Sequence, residues 1–485
     1  MRAAVTLAAV SCAAVLLSAC TVGPDYQRPD VTPPARFVAQ DVLDALNEGR
    51  EQADAAARWW TGFDDPVLDR LVRDGLAANF DIRASAARLR AANATLRRAR
   101  AGDERVITAT LDGQVTAQDG LDSDSASGES GRGALTLAGG LPLDVFGGIR
   151  RGVQRALAQR EAARAALSQQ VLATSAEIAR TYLRLRGDQR QLELLRESVV
   201  LQEKTLSIVR SRFESGLSPE LDMQRAITSV ENLRANIPPL EQSLQEARNR
   251  LATLTGRYAG AYEDLLSAQA DIPAYDRAIP ARLPLDALMA RPDVRGAEAD
   301  LAARIAAIGV AEAAYYPGFR LNGEVGVSAT DGVVAPGAGM LVASLGGLID
   351  QVITNGGARD ADLAAAEARA DEALADFEQT LRLAVEDVEA VLTALKASRA
   401  RQRSLEKSVR ASRRSFYQAE TLYQQGLISF LDVVDAQRVL ASADQSLARE
   451  RTNYATRIAA LFEALGVDVA APDAPAGEAA ARAAR

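Results

Sequence analysis

The chain has 485 residues, 48% hydrophobic, 25% charged and only 5% aromatic, with Ala, Leu, Arg, Glu and Gln filling long stretches. This is the composition of long packed helices, and it excludes wholesale disorder. Histidine is absent and cysteine occurs only at positions 12 and 20, which excludes imidazole acid–base pairs, histidine metal ligands, a cysteine zinc site and a disulfide framework. The net charge of −8 offers no basic face to a phosphate backbone, so no nucleic-acid partner is expected.

Residues 1–19 carry one positive charge at Arg2 and a short Ala-rich apolar run, and polar, Pro-containing sequence follows Cys20. The run is shorter than the roughly 20 residues a bilayer core requires, so it reads as a cleaved export signal. Leu17-Ser18-Ala19-Cys20 resembles a bacterial lipobox. That resemblance implies S-diacylglycerol and an N-acyl group on Cys20, and each buried methylene then contributes about 0.8 kcal/mol to anchoring. Thr21 stands where an Asp often marks retention in the inner membrane, which favours the outer membrane of a Gram-negative bacterium.

After the anchor, residues 20–63 read as an extended segment in which Trp59 and Trp60 pack inward. The next two stretches, 64–256 and 286–466, share one plan and are separated by a linker at 257–285. A shift of 210 residues lays Gly216-Leu217 on Gly426-Leu427, Leu221-Asp222 on Leu431-Asp432 and Gly256 on Gly466. A period this long is that of a duplicated domain and not of a solenoid. Each half is predicted to run helix, two strands, long helix, tight turn, helix.

In the first half the strands are predicted near 106–116 and 133–143, and in the second near 319–329 and 338–349. Ile107, Ala109, Leu111, Gly113 and Val115 alternate with Thr108, Thr110, Asp112 and Gln114, which gives a strand with one apolar and one polar face. Leu321, Gly323, Val325 and Val327 alternate in the same manner. A loop is expected at 118–132, rich in Asp, Ser and Gly.

No proline occurs in 151–215 or 359–425, so each stretch is predicted as one helix of roughly 100 Å. Val171, Ile178, Leu185, Leu192, Val199, Leu206 and Phe213 recur every seven residues, as do Leu381, Val388, Leu395, Val409, Phe416 and Tyr423 with Gln402 interposed. Such a seam makes helices supercoil on neighbours. Gly216 and Gly426 end the two helices, placing hairpin tips at 216–222 and 426–435. Ser218 is expected to cap the first return helix with Pro219 at its first position, and Pro238-Pro239 to bend or split that helix. Residues 467–485, rich in Ala and Pro, read as a disordered tail.

Four two-faced strands on an exported chain suit a barrel wall, and four cannot close around a pore, so several chains are expected to share one barrel. The ordered matches Cys20-Thr21-Val22-Gly23-Pro24-Asp25-Tyr26, Trp59-Trp60, Asp65-Pro66, Asn79, the stretch from Asp144 to Arg150 and Ile237-Pro238-Pro239 together resemble the TolC-like outer-membrane efflux proteins. Within that group they resemble the NodT-type, OprM-like lipoproteins that serve resistance-nodulation-division pumps. The resemblance implies a mainly α fold of coiled-coil-like helical hairpins with a small β part. It also implies a homotrimer whose strands form a twelve-stranded transmembrane barrel. The expected partners are a periplasmic adaptor, an inner-membrane pump of that class and outer-membrane lipid. No cofactor beyond the covalent lipid, no metal and no enzymatic step are expected.

Carried over by position, the resemblance points to Asp432 and Asp435 as acidic rings at a periplasmic gate, with Asp222 as their first-repeat counterpart and Tyr423 as a gate tyrosine. Ile428 stands where some relatives carry a gate arginine. Ser429 followed by Asp432 is also a capping box, and Tyr423 also continues the packing seam. A protein-secretion duct and a pore-free structural envelope lipoprotein are the alternative readings.

Overall fold

The computed structural model describes residues 21–31, 36–48, 55–102, 106–118, 128–279, 288–331, 338–467 and 469. The expected signal, Cys20 and most of the expected tail lie outside these residues. In chain order the elements are α1 (Gln40–Asn47), a 3₁₀ stretch (Ala55–Phe63), α2 (Pro66–Ala78), α3 (Phe80–Ala101), β1 (Val106–Gln118) and β2 (Gly128–Leu143). There follow α4 (Gly148–Glu214), α5 (Glu220–Ala235), α6 (Ile237–Leu254), α7 (Glu263–Ser267), α8 (Pro292–Ala313), β3 (Gly318–Asp331), β4 (Ala338–Asp350), α9 (Ala358–Gln424) and α10 (Phe430–Ala464).

The described residues divide into two units: those within 21–30, 88–163 and 296–378 form the first, and those within 31–87, 164–295 and 379–469 the second. The first holds the sheet. Its four strands are antiparallel in the order β1-β2-β3-β4, so the two predicted hairpins are joined by a β2–β3 ladder. Residues opposite one another share a face. The register sets Leu111 opposite Leu135 and Leu135 opposite Val327, with Val327 opposite Leu341, all on one face. On the other face Thr110 lies opposite Thr136, and Ala138 opposite Glu324, itself opposite Ser344. Leu111, Val115 and Leu345 are about 80% exposed (80%, 79% and 79%), so the apolar face has no cover among the described residues. The β2 ladder begins at Gly128 and shortens the loop expected at 118–132, because backbone pairing continues past the last apolar side chains.

The second unit holds the core. α4 and α9 are each unbroken over 67 residues, as the absence of proline predicts. Val171, Ile178 and Leu185 of the α4 seam are fully buried, and so are Leu392 and Leu395 of α9, while Phe213 near the end of α4 is 36% exposed. Trp59 stacks on Phe462 at 5.0 Å and meets Trp60 edge-on at 6.1 Å, so the paired tryptophans are core residues. Asp65 caps α2 by accepting from the Val67 and Leu68 amides, and its other oxygen accepts from the buried Tyr182 hydroxyl at 2.6 Å. Burial pushes the Tyr182 phenol well above its ordinary range, with the Asp65 bond adding to the shift.

Pro238-Pro239 split the return helix: α5 ends at Ala235 and α6 begins at Ile237, where prolines at the first positions lose no intrahelical donor. α10 lacks such a pair and runs uninterrupted for 35 residues. Val467 and Val469 are buried in the core, so ordered packing passes the boundary expected at 467. No described helix is long and apolar enough to cross a bilayer.

Candidate functional site: the hairpin tips

Both long helices end in the same backbone motif. Gly216 (φ 72°) and Gly426 (φ 77°) occupy the left-handed region. Leu217 N–H donates to Arg212 C=O at 2.7 Å and Leu427 N–H to Leu422 C=O at 2.9 Å. These bonds close a Schellman cap and satisfy carbonyls that the helix end leaves free. The sequence equivalence of the two tips is thus an equivalence of conformation.

Beneath the tips lies an apolar cluster of Val209, Ala226, Phe416, Tyr423, Phe430 and Val433. Tyr423 is 5% exposed and packs on Phe430 at 5.9 Å. The Arg212 guanidinium sits over its ring at 5.0 Å and donates through Nη1 to the Tyr423 carbonyl at 3.3 Å. Burial pushes the Tyr423 phenol up; Arg212 and Ser218 beside it pull the other way, and among the described residues no group satisfies the hydroxyl with a full hydrogen bond. About two turns back on α4 and one on α9, Lys204 pairs with Glu420 at 2.9 Å, a second link between the two helices. Arg212, Lys204 and Glu420 did not stand out in the sequence. Their partners lie over 200 residues away, and only the last-turn position of Arg212, favourable at the negative end of a helix, carried any signal.

The four acidic and aromatic candidates separate. Asp432 accepts from the Ser429 amide at 2.9 Å and the Ser429 hydroxyl at 2.7 Å, completing the capping arrangement expected at the start of α10. Asp222 accepts from Ser218 Oγ at 3.2 Å and faces Arg225 at 3.8 Å. The cap of α5 is Pro219, one residue later than expected, and the Ser218 hydroxyl donates to Asp222. Asp435 does not cap a helix; its carboxylate is 62% exposed and, among the described residues, meets only Arg438, at 2.6 Å. Asp432 and Asp435 border one open groove of about 450 Å³ with Ser412 and Ser415 of α9, whereas Asp222 and Tyr423 lie outside it.

Further from the tips, carboxylates inside the helix seams are displaced from their ordinary behaviour. Burial raises Asp188, against the Ser243 hydroxyl bond at 2.7 Å and the nearby Arg184. Burial likewise raises Asp444, against Arg413 and Arg190. Glu450 is buried and satisfied by Ser398, Arg401 and Arg457.

Comparison with known proteins agrees with this architecture. The model of the family described as "Outer membrane efflux protein" matches residues 71–257 and 283–467, one match for each repeat. Nodulation protein T of Rhizobium leguminosarum bv. trifolii is 31% identical over 457 residues, covering 93% of this chain and 95% of that one. The toluene efflux pump outer membrane protein TtgC of Pseudomonas putida is 31% identical over 477 residues, covering 95% of each. The solved outer-membrane channel OprN superposes with a TM-score of 0.83 at 32% identity, over 92% of this chain and 99% of that one. CusC, at 24% identity and a TM-score of 0.78, shares the fold. With both repeats matched and relatives aligned end to end, the chain belongs to the outer membrane efflux protein family.

Proposed function

We propose that the protein is the outer-membrane duct of a tripartite efflux pump, conducting small molecules passively from an inner-membrane pump of the resistance-nodulation-division class. The observation that carries this reading is the sheet: four strands, one face apolar and exposed, the other polar along β1 and β3 and mixed on β4, with β1 and β4 as edges unpaired among the described residues. In a bilayer each unpaired backbone group costs several kcal/mol, so such a sheet must close with copies of itself, apolar face to lipid and polar face to the lumen. Three chains give the twelve strands of an ordinary barrel. A pore-free bracing lipoprotein has no use for this face, and the relative named for toluene efflux favours small cargo over secreted protein.

In this reading Cys20 carries the diacylglycerol and N-acyl groups, and an adaptor bridges the duct to the pump. The periplasmic tips act as the gate. Asp435, exposed and paired only with Arg438 among the described residues, presents its carboxylate at the constriction, Asp432 shapes the turn, and Arg212–Tyr423 and Lys204–Glu420 hold the two hairpins together. The test is the native mass in mild detergent by light scattering, corrected for detergent and lipid. Three chains are expected; a monomer that survives gentle extraction and cross-linking would leave four open strands and overturn the duct.

A further inference from the structure

Each open edge of the sheet is tied to one helix of the first unit. α3 runs into β1, and Ala101 and Gly102 at its end border a hollow with Val106 and Thr108 of that strand. α9 follows β4, and Arg359 in its first turn donates to the Val352 carbonyl just beyond the strand at 2.8 Å. The four strands alternate in direction, so β1 and β4 are antiparallel to each other. The start of β1 and the end of β4, with their two helices, therefore lie at the same end of the sheet.

These two helices carry opposite charge. Residues 88–101 of α3 hold five arginines and no acid, whereas residues 358–378 of α9 hold seven acids against two arginines. Arg90, Arg97 and Arg98 are exposed together with Ala91 and Ala94, on the side of α3 turned away from the buried Leu96. Glu367, Asp371 and Glu372 are exposed together with Ala364 and Ala368, on the side of α9 turned away from the buried Ala370 and Phe377. None of these six charged groups makes an ion pair within the chain among the described residues. The helix dipole accounts for Arg98 and Arg100 in the last turn of α3 and for Asp360 in the first turn of α9. Its reach ends there. Arg90 and Asp371 each lie about three to four turns from the sheet end of their helix, beyond the dipole and at about one level.

We propose that the chain recognises further copies of itself by charge, the basic face of α3 seating against the acidic face of α9 on the next copy. Closing β4 of one copy onto β1 of the next is an antiparallel pairing that sets these two helices side by side. Opposite faces attract there, while two α3 faces or two α9 faces repel. A strand edge offers the same backbone groups to any other edge, so the ladder itself chooses no partner and the helix charges supply the choice. The small alanines between the charges let the helices approach closely. Each copy presents one face of each sign, so the contact runs head to tail, the kind that closes into a ring. This recognition rests on the shared barrel proposed for the duct and adds to it the groups that select the neighbour.

Cross-linking of the full-length protein in outer membranes tests it. Ala94→Cys on α3 and Ala364→Cys on α9 are exposed positions on the two faces. A short bismaleimide is expected to join the double variant into covalent multimers, and to join neither single variant beyond the wild-type level. Native mass by light scattering separates the failures. Three chains with no link in the double variant, or with a link in a single variant, overturn the charged contact and leave the duct standing; a single chain overturns both. Charge reversal is the second arm. Arg90→Glu with Arg97→Glu is expected to lower the assembled fraction about fivefold or more, and adding Glu367→Arg with Asp371→Arg to restore it to within about twofold of wild type. An assembled fraction that the first pair leaves unchanged, or that the second pair does not restore, overturns recognition by charge. Should the first pair prevent folding, the cysteine variants, which keep every charge, still decide the contact.

Discussion

At the scale of single residues, the structure divides carboxylates that sequence position alone placed together. Asp432 holds the N-terminal turn of α10, so Asp432→Ala removes a cap and is expected to cost about 1 kcal/mol of tip stability. Asp435 makes one exposed pair of the kind that contributes little, so Asp435→Ala changes the charge of the groove with almost no effect on stability. Single-channel conductance is expected to rise in Asp435→Ala and further in the double variant; an unaltered conductance in a correctly assembled double variant would sink the gate assignment. Asp188 supplies a pH test. Its folded pKa is raised, so its contribution is present below the ordinary carboxylate value and is lost as pH rises through the folded value. Asp188→Asn, which keeps a polar partner for Ser243, is expected to raise the melting temperature at neutral pH and not at strongly acidic pH. Equal shifts at both would assign the effect to packing.

At the scale of elements, the two tips are built alike and should respond alike. Nothing lies within 4 Å of a Cβ built at Gly216, and at Gly426 only the Arg212 side chain is met, at 4.0 Å. Ala at either position therefore meets no steric obstacle, and the penalty comes from the left-handed backbone alone, about 1 kcal/mol each. Chemical denaturation should show similar losses for Gly216→Ala and Gly426→Ala, additive in the double variant; a much larger loss at one tip would mean that the tips carry unequal contacts. The sheet offers a sharper contrast between neighbours. Leu345 lies on the apolar face and Ser344 on the polar one. Leu345→Arg is expected to cost about 2–4 kcal/mol in the bilayer and to lower the heat-resistant assembled fraction, while Ser344→Arg is tolerated. The reverse order would turn the sheet inside out and defeat the barrel.

Much at this scale was legible beforehand because its cause is local. Absence of proline predicts unbroken helices, a proline pair predicts the α5–α6 break that α10 lacks, and alternation predicts strand faces. The cap at Pro219 shows where local reading ends: the chain enters α5 one residue later than the Ser-Pro pair predicts.

At the scale of the whole molecule, the pattern of the amino acids alone determined a duplicated chain of long hairpins with four two-faced strands, and with them the family. The hairpins and strand faces follow from periodicity and the absence of proline, and the family from the ordered motifs that resemble it. Only the tertiary structure decided which side chains meet across a hundred residues or more: Arg212 with Tyr423, Lys204 with Glu420, and Arg151 with Val22, Gly23 and Asp25. Such contacts depend on how two helices are rotated and staggered against each other. That is set by the summed packing of the whole seam, so no single residue announces its distant partner.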